Sequence, residues 1–208
     1  MAETSVTRRR IIGRITYLAL ALLILFVQLI PLDTVPPGLG GTSLLPITQP
    51  RALAGTETEV LFDPARWIGP DVLLLLTLAW VVRRPSFVSA LAVAAVYLLA
   101  DMLLQRPPGL WSGLVLILTE TLRRRARSLW TLPFMLEWAT VAGGVIAISA
   151  VYRLVLSLAV VPQPPLGLTL LHLMITLALY PAAVFLSYAL FGVSRPAPGE
   201  VDALGHRL

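Results

Sequence analysis

Residues 166–191 read LGLTLLHLMITLALYPAAVFLSYALF and contain no Asp, Glu, Lys or Arg. At about 1.5 Å of rise per residue, a helix of this length exceeds the roughly 30 Å hydrocarbon core of a bilayer. Residues 15–32 and 87–104 are similar runs, each near or beyond the roughly 18 apolar residues that mark a membrane span. The rest of the chain has the same character. Of 208 residues, 57% are hydrophobic and 13% charged, with a mean hydropathy of +0.84. A soluble domain carries about a quarter charged residues, so this chain lacks the polar surface to face water. Backbone groups in hydrocarbon must bond internally, and the strand-like alternation of a barrel is missing, so the runs are helices. The fold expected is an all-α, polytopic transmembrane helix bundle in one membrane domain spanning residues 1–208.

Six spans are expected, at about 15–32, 70–82, 87–104, 110–122, 130–158 and 166–191. Their connections give the orientation. All sixteen basic residues are Arg, and all but Arg51, Arg66, Arg106 and Arg153 gather at alternate connections. Arg8, Arg9, Arg10 and Arg14 precede the first run; Arg83 and Arg84 separate the second and third. Arg123, Arg124, Arg125 and Arg127 separate the fourth and fifth, and Arg195 and Arg207 follow the sixth. The positive-inside rule puts these twelve, and both termini, in the cytoplasm. The net charge of +5 therefore points to anionic membrane lipids rather than nucleic acid. Thr7-Arg8-Arg9-Arg10-Ile11-Ile12 loosely resembles a twin-arginine export signal. The run behind it is longer than a signal-peptide core and lacks a small-x-small cleavage site, so it reads as an uncleaved first helix.

The other connections carry Pro and Gly: Val35-Pro36-Pro37-Gly38, Arg106-Pro107-Pro108-Gly109 and Pro164-Pro165-Leu166-Gly167. The chain reads as three hairpins, either a true repeat or simply turns made by turn residues. The second and fourth helices, at thirteen residues, are short for a span and must borrow flanking residues, thin the bilayer or be shielded by longer neighbours. The periplasmic loop 33–69 is the only sizeable extramembrane segment, and Trp67 is expected at headgroup level.

Ionisable groups inside spans are costly and carry the functional candidates. Asp71 opens the second helix, as a cap or as a functional acid. Asp101 lies near the outer end of the third, five residues before Arg106, and the two acids could share that arginine or a water pocket. Glu120 has Arg123 at i+3 and Arg124 at i+4, the spacing of a same-face ion pair. Glu137 lies about 10 Å into a fifth helix that starts at Trp130, so it must face protein, pair or protonate. Arg153 is placed to snorkel outward. His172 has no second ligand within helical reach, so a metal role is not expected. Tyr180-Pro181 is expected to kink the last helix. Small residues recur every four positions at Ser86, Ala90 and Ala94 and at Ala139, Gly143 and Ala147, forming faces for close helix packing within the chain or against a partner.

No catalytic pattern is present. There is no HExxH, no GxSxG, no Walker glycine loop and no Gly-x-Gly-Asp. With no Cys there is no thiolate nucleophile or sulfur-ligated metal. Enzymatic turnover and a cofactor are not expected.

Residues 66–125 carry a family pattern. Arg66-Trp67-Ile68-Gly69-Pro70-Asp71-Val72-Leu73-Leu74-Leu75 is followed by Ala79-Trp80-Val81-Val82-Arg83-Arg84-Pro85 and Leu98-Leu99-Ala100-Asp101. Gln105-Arg106-Pro107-Pro108-Gly109-Leu110-Trp111 and Thr119-Glu120 complete it. This stretch, a bit under a third of the chain, resembles the rod shape-determining protein MreD family. It departs at Ala100, where many members have Gly-Leu-x-x-Asp. The resemblance implies a non-enzymatic subunit of the bacterial cell-elongation machinery in the inner membrane, serving cell shape and lateral peptidoglycan synthesis. MreC is its implied direct partner, with MreB, RodA and RodA's paired transpeptidase reached through the complex. In fold the family resembles the substrate-binding subunits of energy-coupling-factor transporters. That leaves a second reading, a transporter-like protein binding a small molecule or lipid between its helices.

Overall fold

The computed structural model describes residues 2–29 and 70–193. The loop 33–69, with Trp67, and the last arginines, Arg195 and Arg207, lie outside the described residues. Among the described residues there are six helices and no strand. They are α1 (Ala2–Leu29), α2 (Val72–Arg83), α3 (Ala90–Leu103), α4 (Leu110–Trp130), α5 (Phe134–Leu158) and α6 (Leu166–Phe191). Three stretches are long and apolar enough to cross a membrane: Arg10–Leu29, Phe134–Leu158 and Leu166–Phe191. Their outward faces are apolar too. Leu154, Met174, Phe185 and Leu190 are each more than half exposed. Contiguous apolar surface on this scale is rare on a water-soluble monomer and is what a lipid-facing surface requires.

The short helix α2 sits at the centre. Its 12 residues rise about 18 Å, well short of the hydrocarbon core, yet it needs no matching bilayer because neighbours enclose it. Leu73, Leu74, Leu75 and Thr77 to Val82 are all buried, with α6, α4 and α1 packed around them. Trp80 anchors this core: it is 1% exposed, donates its indole N–H to Ser187 Oγ at 3.2 Å, and lies 6.0 Å from the Tyr17 ring. One turn away, Thr77 Oγ1 meets Tyr17 Oη at 3.1 Å, accepts from Tyr97 Oη at 3.0 Å and donates to Leu73 O at 2.8 Å. Three hydroxyls from α1, α2 and α3 thus satisfy one another where no water is at hand.

Several boundaries depart from the sequence expectation, each for a local reason. α4 does not stop at Leu122 but runs through the arginines to Trp130. Charge ends an apolar run without ending a helix: Arg is a good helix former, and Glu120 supports the turn through Arg123 and Arg124. α4 is therefore not one of the short helices. Pro133 then precedes α5, which starts at Phe134 rather than Trp130. α3 starts at Ala90, because the Ser89 hydroxyl accepts from the amide of Ala92 as an N-cap. Ser86 is consequently in the α2–α3 turn and not on the helical face of Ala90 and Ala94. α1 begins at Ala2, well before residue 15, whereas α6 has the bounds expected and runs on through Pro181.

Candidate functional site

The ionisable groups sort to two ends of the bundle. At one end, two arginines from different helices hold the α2–α3 turn. Arg14 Nε donates to Ser86 O at 3.3 Å, and Arg123 Nη2 donates to Val88 O at 2.5 Å. The same Arg123 reaches Glu120 at 3.0 Å, and Arg124 lies 3.6 Å from that carboxylate.

Glu137 also belongs to this end. It lies in the first turn of α5, about 4.5 Å from the helix start rather than 10 Å, because α5 begins four residues later than expected. Its side chain is fully buried all the same. Arg83 Nη2 stands 3.5 Å from Oε1, and Tyr180 donates its hydroxyl to the same oxygen at 3.2 Å. This carboxylate draws α2, α5 and α6 together. Trp138, the next residue, donates its indole N–H to Leu177 O at 3.0 Å and closes the same seam.

At the opposite end both aspartates cap helices. Asp71 is the N-cap of α2: Oδ1 accepts from the amide of Leu74 at 3.0 Å, while its own amide donates to Thr176 Oγ1 at 3.2 Å. Asp101 caps a helix that is not its own. The N-cap position of α4 is Gly109, whose φ of 88° favours a residue without Cβ, and that glycine brings no capping side chain. Asp101, fully buried on α3, supplies the acceptor instead. Its Oδ2 takes the amides of Gly109 at 3.2 Å and Ser112 at 3.1 Å. A carboxylate at these orphan donors also opposes the positive end of the helix dipole.

Arg106 pairs with neither aspartate. Its guanidinium lies 6.0 Å from the centre of the Trp111 ring, a cation–π placement, and Trp111 packs edge-on against Tyr152. Arg153 reaches the α5–α6 connection. Nη1 donates to Pro164 O at 3.2 Å and makes a short contact with Thr169 Oγ1, tying the end of α5 to the start of α6.

The small-residue faces separate as well. Ala90 and Ala94 are half-buried, whereas Ala139, Gly143 and Ala147 are all exposed. A Cβ at Gly143 would meet nothing within 4 Å. Close approach of α5 to α4 uses Gly144 instead, where a Cβ would run into Leu118 Cδ1. Sequence spacing pointed to Gly143, flanked by Ala139 and Ala147, and away from Gly144, whose neighbours at the same spacing are Thr140 and Ile148.

The candidate acids are thus brought to the bundle ends as caps and ion pairs, and they form no shared acid–base pair. Among the described residues no three His, Asp or Glu lie close enough to hold a metal ion. No family model, curated protein or solved structure matches the chain.

Proposed function

We propose that this chain is a non-enzymatic, multi-pass subunit of the bacterial cell-elongation complex, of the MreD type, that holds the transmembrane helix of MreC. In this reading all six helices lie in the inner membrane, with the Arg14–Arg83–Arg123 end in the cytoplasm. In this reading the fold resembles that of the substrate-binding subunits of energy-coupling-factor transporters. MreB, RodA and the paired transpeptidase are reached through MreC. The family assignment rests on the sequence pattern of residues 66–125.

One observation supports the holding role. Ala139, Gly143 and Ala147 form an exposed row on α5 that no other described helix covers. Helices in lipid associate through close backbone approach and interhelical polar contacts, since the hydrophobic effect does not separate helix from lipid. A row of small side chains facing outward is useful only to something that comes close. Several buried polar groups, meanwhile, answer to one another, while Asp101 Oδ1, Trp111 Nε1 and His172 Nδ1 are buried without a hydrogen-bond partner among the described residues. Tyr17, Thr77 and Tyr97 close their own hydrogen bonds, and Asp71, Asp101, Glu120 and Glu137 are all engaged within the chain. That favours a scaffold over a binder of small molecules.

Co-expression with MreC tests the reading. A detergent-stable complex is expected, lost in Gly143→Leu while the variant's own folding is retained. A chain that ignores MreC and purifies with a small molecule between its helices would favour the transporter-like alternative.

A further inference from the structure

We propose that the outer face of the α4 extension is a binding site for anionic phospholipid headgroups. This stands apart from the elongation reading and needs only that the chain is embedded in a bilayer.

The apolar part of α4 ends at Leu122, and the helix continues for eight residues beyond it. At 100° per residue these divide cleanly. Leu122, Ala126 and Leu129 are buried against the bundle, and Arg124, Arg125 and Arg127 are exposed on the other side. The extension is pinned rather than loose. Trp130 donates its indole N–H to Val82 O at 2.7 Å, and the hydroxyls of Ser128 and Thr131 bond the carbonyls of Arg125 and Ser128. The cations are therefore displayed on a rigid element, so little ordering cost falls on binding.

Arg125 and Arg127 make no ion pair among the described residues, and Arg124 makes only a loose one. Arg123 is occupied by Glu120 and the Val88 carbonyl. Arg124 meets Glu120 only at 3.6 Å with its side chain 80% exposed, a contact worth little in solvent. Glu137, the other carboxylate described at this end, is buried against Arg83 and Tyr180. The field at the surface is left positive, and planar guanidinium groups match phosphate oxygens two at a time.

Depth and surroundings select a lipid over other anions. From Arg123 to Arg127 the helix rises about 6 Å, close to the thickness of a headgroup layer, roughly 5–7 Å per leaflet. Exposed apolar side chains lie on the same two elements: Ile117 at 65%, two turns before Arg124 on the same helix face, and Met135 at 72% and Leu136 at 51% in the first turn of α5. A phosphate on the arginines with acyl chains against these three satisfies both surfaces. An acidic peptide or a free phosphate satisfies only the first.

The test uses the full chain in a neutral detergent, with thermal midpoint and retained lipid by native mass spectrometry as readouts. Phosphatidylglycerol should raise the midpoint and stay bound. Phosphatidylcholine with the same chains, inorganic phosphate and a polyglutamate peptide should do neither. The triple variant Arg124→Gln/Arg125→Gln/Arg127→Gln should lose about fivefold in phosphatidylglycerol affinity per arginine, on the order of a hundredfold in all, whereas Arg106→Gln should lose none. Equal stabilisation by phosphatidylcholine, or a triple variant that binds phosphatidylglycerol like the parent, overturns the proposal. Stabilisation by phosphate alone would show adventitious anion binding, and stabilisation by polyglutamate alone would give the face to an acidic protein; either outcome also overturns it. If the triple variant does not fold, the comparison of the two lipids on the parent chain decides.

Discussion

Asp101 Oδ2 accepts the amide of Ser112 at 3.1 Å, so a carboxylate on α3 serves as the N-cap of α4. The bond spans the Pro107-Pro108-Gly109 turn and fixes how the two helices meet. With Gly109 at the cap position, α4 has no side chain of its own there to do this work.

Replacing Asp101 should therefore act on stability. Asp101→Leu leaves the buried amide of Ser112 and the part-buried amide of Gly109 without this acceptor and should cost about 2–3 kcal/mol. Asp101→Asn keeps an acceptor but loses the charge at the helix end and should cost ~1 kcal/mol. The ordering of thermal midpoints in detergent checks this. Equal midpoints for the two variants would show that the cap contributes nothing.

Glu137 should behave as a buried partner. Glu137→Leu removes the anion from Arg83 and the acceptor from Tyr180 and should cost roughly 3 kcal/mol, toward the low end for a broken buried pair because Arg83 keeps 14% exposure. Glu137→Gln keeps an acceptor for Tyr180 and should be milder. Adding Arg83→Met to Glu137→Leu should recover part of the loss, since the uncompensated cation goes too. Additive losses in that double variant would mean the two side chains are not coupled.

The adjacent glycines of α5 should separate folding from docking. Gly144→Leu must displace Leu118 and should lower the thermal midpoint, at about 1–3 kcal/mol for overpacking. Gly143→Leu meets open space and should leave the midpoint unchanged. Circular dichroism melts of the two purified variants distinguish them, and a destabilised Gly143→Leu would place that face inside the fold.

Topology can be read with reporter fusions. Fusions after Arg84 and after Arg127 should report cytoplasm, and fusions near Pro108 and Gln163 should report periplasm, because the arginines gather at alternate connections. The fusion after Arg127 is the most demanding, since it falls inside α4 rather than in a loop. A periplasmic signal there would invert α4 and α5.

Much of the architecture was legible in apolar run lengths, which give the type and rough position of every described helix and both ends of α6. Boundaries were legible only where a breaker stands. Pro165 and Gly192 frame α6, but the apolar run ends at Leu122 while α4 continues through the arginines, because hydropathy reports solvent preference and not backbone state. The i+3 and i+4 spacing of Glu120 was sufficient to foresee its ion pairs, which are local. The partners of Asp101 and Glu137 were not legible. Asp101 caps a helix across a turn, and Glu137 meets Arg83 and Tyr180 from distant helices. Such contacts depend on how helices pack, which periodicity does not encode.

The chain has no Cys, so a single introduced cysteine reports one position without background. The holding role of α5 is tested most directly by disulfide crosslinking in native membranes, with cysteines placed in turn at Ala139, Gly143 and Ala147 and along the transmembrane helix of MreC. Crosslinks should form from these three positions and not from Leu91 on α3 or Met174 on α6, both highly exposed but outside the row. No crosslink from the α5 row, or equal crosslinking from Leu91 and Met174, would contradict a partner helix seated on that face.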